Sequence, residues 1–219
     1  MQTRDRVPQG MIATLLIAMC SLLVASSGQL INSEGQAGSE KPLPIHDDVG
    51  GEFSAPSSLG RDVSLSEFRD KVVLLFFGYT SCQDVCPATL AHLQALVRDL
   101  GKASDGVQVL LVTVDPENDT ADHLEQYLAR FDTRFVGLTG TRKEVDRIAN
   151  LFMVKHDRSH GIEVSNEYNR AKTFTDHSYL YSHSQQIYLL DKAGRTRALF
   201  FTGSPLEEMQ DAVIALLNE

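Results

Sequence analysis

One stretch, residues 71–100, constrains the fold more than any other part of the chain. It opens with an apolar run of strand length at residues 72–77 and closes with apolar residues at helical spacing over 90–100. Cys82 and Cys86 stand between the two. The sequence therefore predicts two thiols at a strand-to-helix junction, where the helix N-terminus favours the thiolate, the form that attacks disulfides and binds metals.

The spacing of these cysteines leaves several interpretations open. Two residues four apart in a helical or turn-like segment can present both side chains on one side. Cys82 and Cys86 can then chelate a metal ion or close a disulfide. Alternatively, they are two small buried apolar residues, since free cysteine is often buried. The third cysteine, Cys20, lies far away in the N-terminal apolar segment, and we assign it no functional role.

The N-terminal segment is typical of an export signal. Arg4 and Arg6 precede an apolar core at residues 11–25, and small polar residues follow at 26–28. The core is about 15 residues long, whereas a membrane span needs roughly 20. No charge occurs between Arg6 and Glu34, however, so a membrane anchor is kept as an alternative to a cleaved signal. We expect residues 1–28 to be a signal peptide or membrane anchor that places the rest in the periplasm or on the outer face of the inner membrane.

The remainder of the chain is expected to form a linker and one folded domain. Residues 29–49 are polar and aperiodic, which is typical of a tether. From residue 50 to 219, strand patterns alternate with helical patterns and end in a hairpin and a final helix. This order predicts an α/β domain with a mainly parallel central sheet, a C-terminal antiparallel hairpin and flanking helices. With cysteines at the first strong strand-to-helix turn, the fold is predicted to be thioredoxin-like.

A third candidate ligand stands just before the predicted hairpin. Ordinary thioredoxins have two residues between their cysteines and a proline before that hairpin, whereas this chain has three residues between the cysteines and His183 near the proline position. Two thiolates and an imidazole form a soft ligand set that suits Cu(I) and also accommodates Cu(II) or Zn(II). Structural zinc sites usually have four protein ligands, and no fourth is evident in the sequence.

Three stretches resemble the Sco/SenC family of thioredoxin-like copper proteins, which help to assemble cytochrome c oxidase. They read KVVLLFFGYTSCQDVCPATL, VTVDPENDTADHLEQYLARFDTRFVGLTGT and YLYSHSQQIYLLDKAG, within a resemblance that covers roughly residues 50–201. The resemblance implies that Cys82, Cys86 and His183 bind copper. It also implies delivery of copper to the dinuclear site of the oxidase, or reduction of that site's thiols, with the copper-site subunit, other copper carriers and thiol reductants as partners.

The sequence departs from the family pattern near the histidine. The family usually has Asp-His-Ser before the hairpin strand, and here that triplet occurs early, at residues 176–178. His183 stands at the expected register, five residues before Tyr188. We therefore predict His183 as the ligand and keep His177 as the alternative. Gln83 replaces a frequent proline between the cysteines, which is expected to loosen the loop without removing a ligand.

Three classes of function follow from these residues. A copper metallochaperone needs the histidine and reduced thiols, whereas a thiol–disulfide oxidoreductase needs only Cys82 and Cys86. A peroxiredoxin-type peroxidase ranks last, because its attacking cysteine is preceded by proline and threonine at set positions, and Tyr79-Thr80-Ser81-Cys82 does not supply them there. The formal net charge is −9 and the sequence has no basic run, which argues against nucleic acid as a partner.

Overall fold

The computed structural model describes residues 42–159, 180–183 and 186–219, and all structural statements below concern these ranges. The chain divides into two units, Met1–Lys41 and Pro42–Glu219. The predicted signal or anchor and most of the predicted linker lie outside the described residues, so the division at 28 and 49 stays a prediction. In the described part, no helix has both the length and the apolar character that crossing a membrane requires.

Nine strands and four α-helices are described in the second unit. The strands are β1 (Ser54–Pro56), β2 (Asp62–Ser64), β3 (Val72–Gly78), β4 (Val107–Thr113), β5 (Val136–Leu138), β6 (His156–Ser159), β7 (Leu180–His183), β8 (Gln186–Leu190) and β9 (Thr196–Phe201). The helices are α1 (Val85–Asp99), α2 (Ala121–Leu128), α3 (Arg142–Leu151) and α4 (Leu206–Asn218). Short 3₁₀ helices occupy Leu65–Phe68 and Gly101–Gly106.

The central sheet has five strands in the order β5-β4-β3-β8-β9. Strand β4 runs parallel to both β3 and β5, whereas β8 runs antiparallel to β3 and to β9. The predicted parallel strands and C-terminal antiparallel hairpin are therefore confirmed, and together they make a mixed sheet. Because β3 lies in the middle, the junction that follows it stands at the centre of one sheet edge.

Strand β3 is buried on both faces, which explains its continuous apolar sequence. Its side chains alternate between two cores, as the two-residue period of a strand requires. Val72, Leu74 and Phe76 join the core formed with α1, α2 and α4. Val73 and Phe77 join the opposite core, which contains the buried face of α3. Helices therefore cover both faces of the sheet.

Capping boxes are present at two helix starts. The Thr141 N–H donates to a Glu144 carboxylate oxygen over 2.7 Å, and the Glu144 N–H donates to the Thr141 hydroxyl over 3.3 Å. At the Leu65–Phe68 turn, the Ser64 N–H donates to Glu67 over 2.9 Å. These local contacts fix where each helix begins.

Residues 155–181 are polar and lack hydrophobic periodicity, which predicts a loop, and the structure corrects that prediction in part. Strands β6 and β7 pair antiparallel there, with His156 opposite His183. The segments read HDRS and LYSH, so neither carries the apolar alternation that reveals a half-buried strand. Residues 160–179, which include His160 and the alternative ligand His177, lie outside the described residues.

Candidate metal centre

The structure places both predicted thiols at the junction between β3 and α1. Strand β3 ends at Gly78, helix α1 begins at Val85, and the loop between them carries Cys82. Cys86 lies in the first turn of α1 and is buried, whereas Cys82 is only partly buried. The two cysteines therefore differ in their access to solvent, although they belong to one short segment.

Two backbone hydrogen bonds involve Cys82, and one of them comes from Cys86. The Cys86 N–H donates to the Cys82 sulfur over 3.5 Å, and the Cys82 N–H donates to the Tyr79 carbonyl over 3.3 Å. The first turn of α1 thus directs an N–H group at a sulfur, and a helix N-terminus stabilises negative charge at that position.

The environment of Cys86 favours its protonated form. A hydrogen bond with Cys82, burial and the charge of Cys82 all raise the pKa of the Cys86 thiol, and Asp119 adds to them. A hydrogen bond from the Tyr79 backbone acts in the opposite direction but is outweighed. Since a metal binds the thiolate, loading the site requires Cys86 to release a proton.

Gly78 provides the space that the Cys86 sulfur occupies. A Cβ atom at Gly78 would lie 2.9 Å from this sulfur and 3.1 Å from a methyl carbon of Leu111. A side chain at position 78 would therefore force the sulfur or the strand to move. Inspection of the sequence did not single out this glycine, because only the structure shows that it faces Cys86.

A buried carboxylate next to the cysteine loop was also missed from the sequence. Asp119 accepts hydrogen bonds from the Thr80 N–H over 3.1 Å, from the Thr80 hydroxyl over 2.5 Å and from the Thr113 hydroxyl over 2.5 Å. The sequence pattern of residues 115–120 indicates only a turn and a helix start. The helix start is correct, since Thr120 caps α2 by accepting from the His123 N–H, but the carboxylate of Asp119 points into the protein.

The candidate histidines occupy different parts of the structure. The backbone places His183 at the end of β7, opposite His156 and shortly before β8. The His156 ring lies 3.3 Å from a carboxylate oxygen of Asp146 on α3. Within the described ranges, no three His, Cys, Asp or Glu side chains converge as a metal site. The set of Cys82, Cys86 and His183 therefore stays a prediction.

Comparison with known proteins identifies the family. The family model described as SCO1/SenC matches residues 42–218. This chain belongs to the SCO1/SenC family. It is 30% identical over 179 residues to the SCO2-like protein RC0895 of Rickettsia conorii, covering 78% of this chain and 82% of that protein.

Solved structures support the same assignment and the thioredoxin-like fold. The Bradyrhizobium japonicum ScoI structure with copper bound is 30% identical, with a TM-score of 0.65, covering 77% of this chain and 99% of ScoI. The structure of BsSco, a member of the Sco family of cytochrome c oxidase assembly proteins in which a disulfide switch was identified, matches at 21% identity and a TM-score of 0.59. That match covers 80% of this chain and 97% of BsSco and concerns the fold. The predicted family and fold are thus confirmed.

Proposed function

We propose that this SCO1/SenC protein is a copper metallochaperone that helps to assemble the dinuclear copper site of cytochrome c oxidase. Proteins of this family take part in copper assembly of the oxidase. The observation that carries the proposal is the meeting of Cys82 and Cys86 at the N-terminus of α1, where the Cys86 N–H lies 3.5 Å from the Cys82 sulfur. Copper is cargo in this proposal, taken up and passed on.

The donor set fits copper on chemical grounds. Soft thiolate ligands select Cu(I), and an added imidazole also accommodates Cu(II). In the proposed site Cys82 and Cys86 supply the thiolates and His183 supplies the imidazole. The partial exposure of Cys82 supports exchange with a partner, because an incoming sulfur can reach it from solvent. Its neighbour Cys86 is enclosed and suits the role of an anchoring ligand.

A thiol–disulfide oxidoreductase is the second candidate function. The 3.5 Å distance between the Cys86 backbone nitrogen and the Cys82 sulfur favours this function, because it places the two cysteines within one turn of each other. In this function Cys82 attacks a partner disulfide and Cys86 then displaces the partner's sulfur, leaving the Cys82–Cys86 disulfide for an external reductant to reopen. His183 has no necessary part in that exchange.

Location and partners complete the proposal. We place the protein outside the cytoplasm, in the periplasm or on the outer face of the inner membrane, with residues 1–28 as signal or anchor, 29–49 as linker and 50–219 as the copper-binding domain. Its partners are then the copper-site subunit of the oxidase and other copper carriers or thiol reductants. A fusion to a reporter active only outside the cytoplasm tests the export, and an inactive fusion would contradict it.

Copper titration of the reduced and oxidised protein tests the proposed function. We expect the reduced protein to bind one copper ion in competition with a chelator, and the oxidised protein to bind none through these sulfurs, because a disulfide offers no thiolate. The double variant Cys82→Ser/Cys86→Ser serves as the control and should behave like the oxidised protein. Equal affinity in the reduced, oxidised and double-variant proteins would exclude the two sulfurs as ligands.

A further inference from the structure

Asp119 is a buried carboxylate bound to the loop that carries Cys82. Its side chain is only 1% exposed. Two of its three hydrogen-bond donors belong to Thr80, which stands two residues before Cys82, and the third is the hydroxyl of Thr113 at the end of β4. The carboxylate therefore ties the end of one central strand to the loop that follows its neighbour.

The hydrogen bonds around Asp119 indicate that it is ionised. The Thr80 N–H can only donate, and both hydroxyl groups lie 2.5 Å from carboxylate oxygens, which is typical of charge-assisted bonds. Burial raises the pKa of Asp119, whereas the hydrogen bonds from Thr113 and Thr80 lower it in part. Among the described residues, the one basic group within 4.0 Å is the largely exposed ring of His123. The charge is solvated by neutral donors and is not cancelled by a fixed cation.

The effect of this charge extends to the cysteines. The Asp119 carboxylate is hydrogen-bonded to the N–H and hydroxyl of Thr80, two residues before Cys82, so its negative charge lies beside the cysteine loop and opposes negative charge on the sulfurs held there. The same physical effect applies to any charge held at the pair. Two thiolates and an imidazole with Cu(II) carry a net charge of zero, and with Cu(I), after one electron is added, the net charge is −1. A fixed negative charge nearby disfavours the second state relative to the first.

We propose that Asp119 is a positioning residue of the cysteine site that anchors the Cys82 loop through Thr80 and, by its buried charge, weakens the hold on Cu(I) relative to Cu(II). This inference rests on the proposed copper-binding function and adds a residue that is not a ligand. A weaker hold on Cu(I) suits a carrier, because the cargo must leave for an acceptor. The buried Asp119 would thereby balance the strong affinity that two thiolates give.

The Asp119→Asn variant tests the inference, since it removes the charge and keeps the size and an acceptor oxygen. We use the full chain with Cys20→Ser, reduced, at pH 8, and measure chelator-competed affinities for Cu(I) and Cu(II) together with the potential of the bound copper. The ratio of Cu(I) to Cu(II) affinity should rise on the order of tenfold. A tenfold change corresponds to about 59 mV in a one-electron couple.

Two matched variants separate the charge from other effects. Asp122→Asn removes the same charge from an exposed position in the first turn of α2 and should leave the ratio unchanged. Thr80→Val removes the hydroxyl donor but keeps the charge of Asp119, so it should loosen the loop without the rise in the ratio. Thermal unfolding checks that each variant is folded, and Asp119→Ser replaces Asp119→Asn if the latter is not.

The outcomes distinguish this inference from the proposed function. If the wild-type chain binds no copper through its cysteines, the proposed function fails and the inference fails with it. If the wild type binds copper and Asp119→Asn shows the same affinity ratio and potential, only the inference is wrong. A shift of equal size in Asp122→Asn also overturns it, because the effect would then come from net charge and not from the buried position.

Discussion

The backbone N–H of Cys86 donates to the sulfur of Cys82 over 3.5 Å, so the first turn of α1 directs an N–H group at the cysteine of the loop that precedes it. The other sulfur, that of Cys86, is enclosed, with the cysteine only 1% exposed, and packs against Gly78. The Cys82 sulfur is therefore accessible and lies at a helix N-terminus. The Cys86 sulfur is buried, and its environment favours the protonated thiol. This asymmetry predicts different chemical behaviour for the two thiols.

The first prediction concerns alkylation of the single thiols. In a Cys20→Ser background, Cys86→Ser leaves Cys82, and Cys82→Ser leaves Cys86. We expect the Cys82 thiol to react with iodoacetamide at least about tenfold faster at pH 7.5, because Cys86 is buried, which shields its sulfur from the reagent and disfavours the reactive thiolate even when Cys82 is replaced. Mass spectrometry of quenched samples gives the rates. Equal rates in the folded variants would show that the buried position does not protect Cys86.

The second prediction concerns the space beside Cys86. Gly78→Ala places a Cβ atom 2.9 Å from the Cys86 sulfur and should lower the free energy of unfolding by about 1–3 kcal/mol and weaken copper binding. Gly106→Ala is the control, since its Cβ would meet Leu217 at 2.8 Å, near the start of β4 and at the opposite end of the sheet. Urea unfolding should show a loss in both variants, and copper titration a loss only in Gly78→Ala. A comparable loss of copper affinity in Gly106→Ala would contradict this assignment.

The sequence predicted most of the fold because its main strands are buried on both faces. Strands β3 and β4 each consist of seven buried residues, so their apolar runs were visible without any alignment. The β6–β7 ribbon was not visible, because its strands are four residues long, lack an alternating apolar pattern and are separated by twenty residues. Such pairing depends on tertiary contacts and not on a local pattern.

The residues of the candidate site were likewise predictable where they depend on local sequence and were missed where they depend on tertiary contacts. Cys82 and Cys86 were found because their spacing and the surrounding strand and helix are local features. Asp119 was missed because its main partner, Thr80, lies 39 positions away in the sequence, and a buried carboxylate looks the same in a sequence as an exposed one. Only the parallel pairing of β3 with β4, which sets Gly78 opposite Thr113, brings these residues together.

The third prediction concerns acid sensitivity through Arg197. This arginine is 4% exposed and donates to Asp191 over 3.1 Å and to Glu219. Burial alone would raise the pKa of Asp191, but hydrogen bonds from Arg195 and Arg197 outweigh it, and the pKa lies below its usual value. A carboxyl with a lowered folded-state pKa stabilises the fold above its unfolded pKa and loses that contribution as the pH falls. The free energy of unfolding should therefore decrease below about pH 4.

Guanidinium unfolding of Arg197→Met over a pH series measures this contribution. Removing the cation leaves the buried Asp191 carboxylate with fewer partners, so we expect a loss of about 3–5 kcal/mol at pH 7 and a weaker dependence on acid. Arg98→Met is the control, because the Arg98–Asp99 pair is exposed and should contribute at most about 1 kcal/mol. If the free energy of unfolding of Arg197→Met falls with acid in the same way as in the wild type, the Arg197–Asp191 pair is not the source of the acid dependence.

The last prediction separates the two proposed functions through the histidines. Two thiolates suffice for disulfide exchange, whereas a three-coordinate copper site needs an imidazole. His183→Ala should therefore weaken copper binding by more than the roughly 10–100-fold loss that is typical when a residue hydrogen-bonded to a metal ligand is mutated. Oxidation of Cys82 and Cys86 to a disulfide should stay nearly unchanged. His177→Ala should have little effect, because His183 ends β7 at the register that precedes β8. Copper titration against a chelator and oxidation by glutathione measure the two properties.

His46→Ala provides the control for losing an imidazole away from the site, because the His46 N–H donates to the Thr196 carbonyl at the start of β9, at the sheet end opposite the cysteine loop, and it should match the wild type in copper affinity. If His177→Ala abolishes binding and His183→Ala does not, the register beside Tyr188 is the wrong guide and the early Asp-His-Ser triplet supplies the ligand. If neither variant changes the affinity, the copper site consists of the two thiolates alone. The oxidoreductase then becomes the leading function, because Cys82 and Cys86 account for all of the chemistry without a histidine.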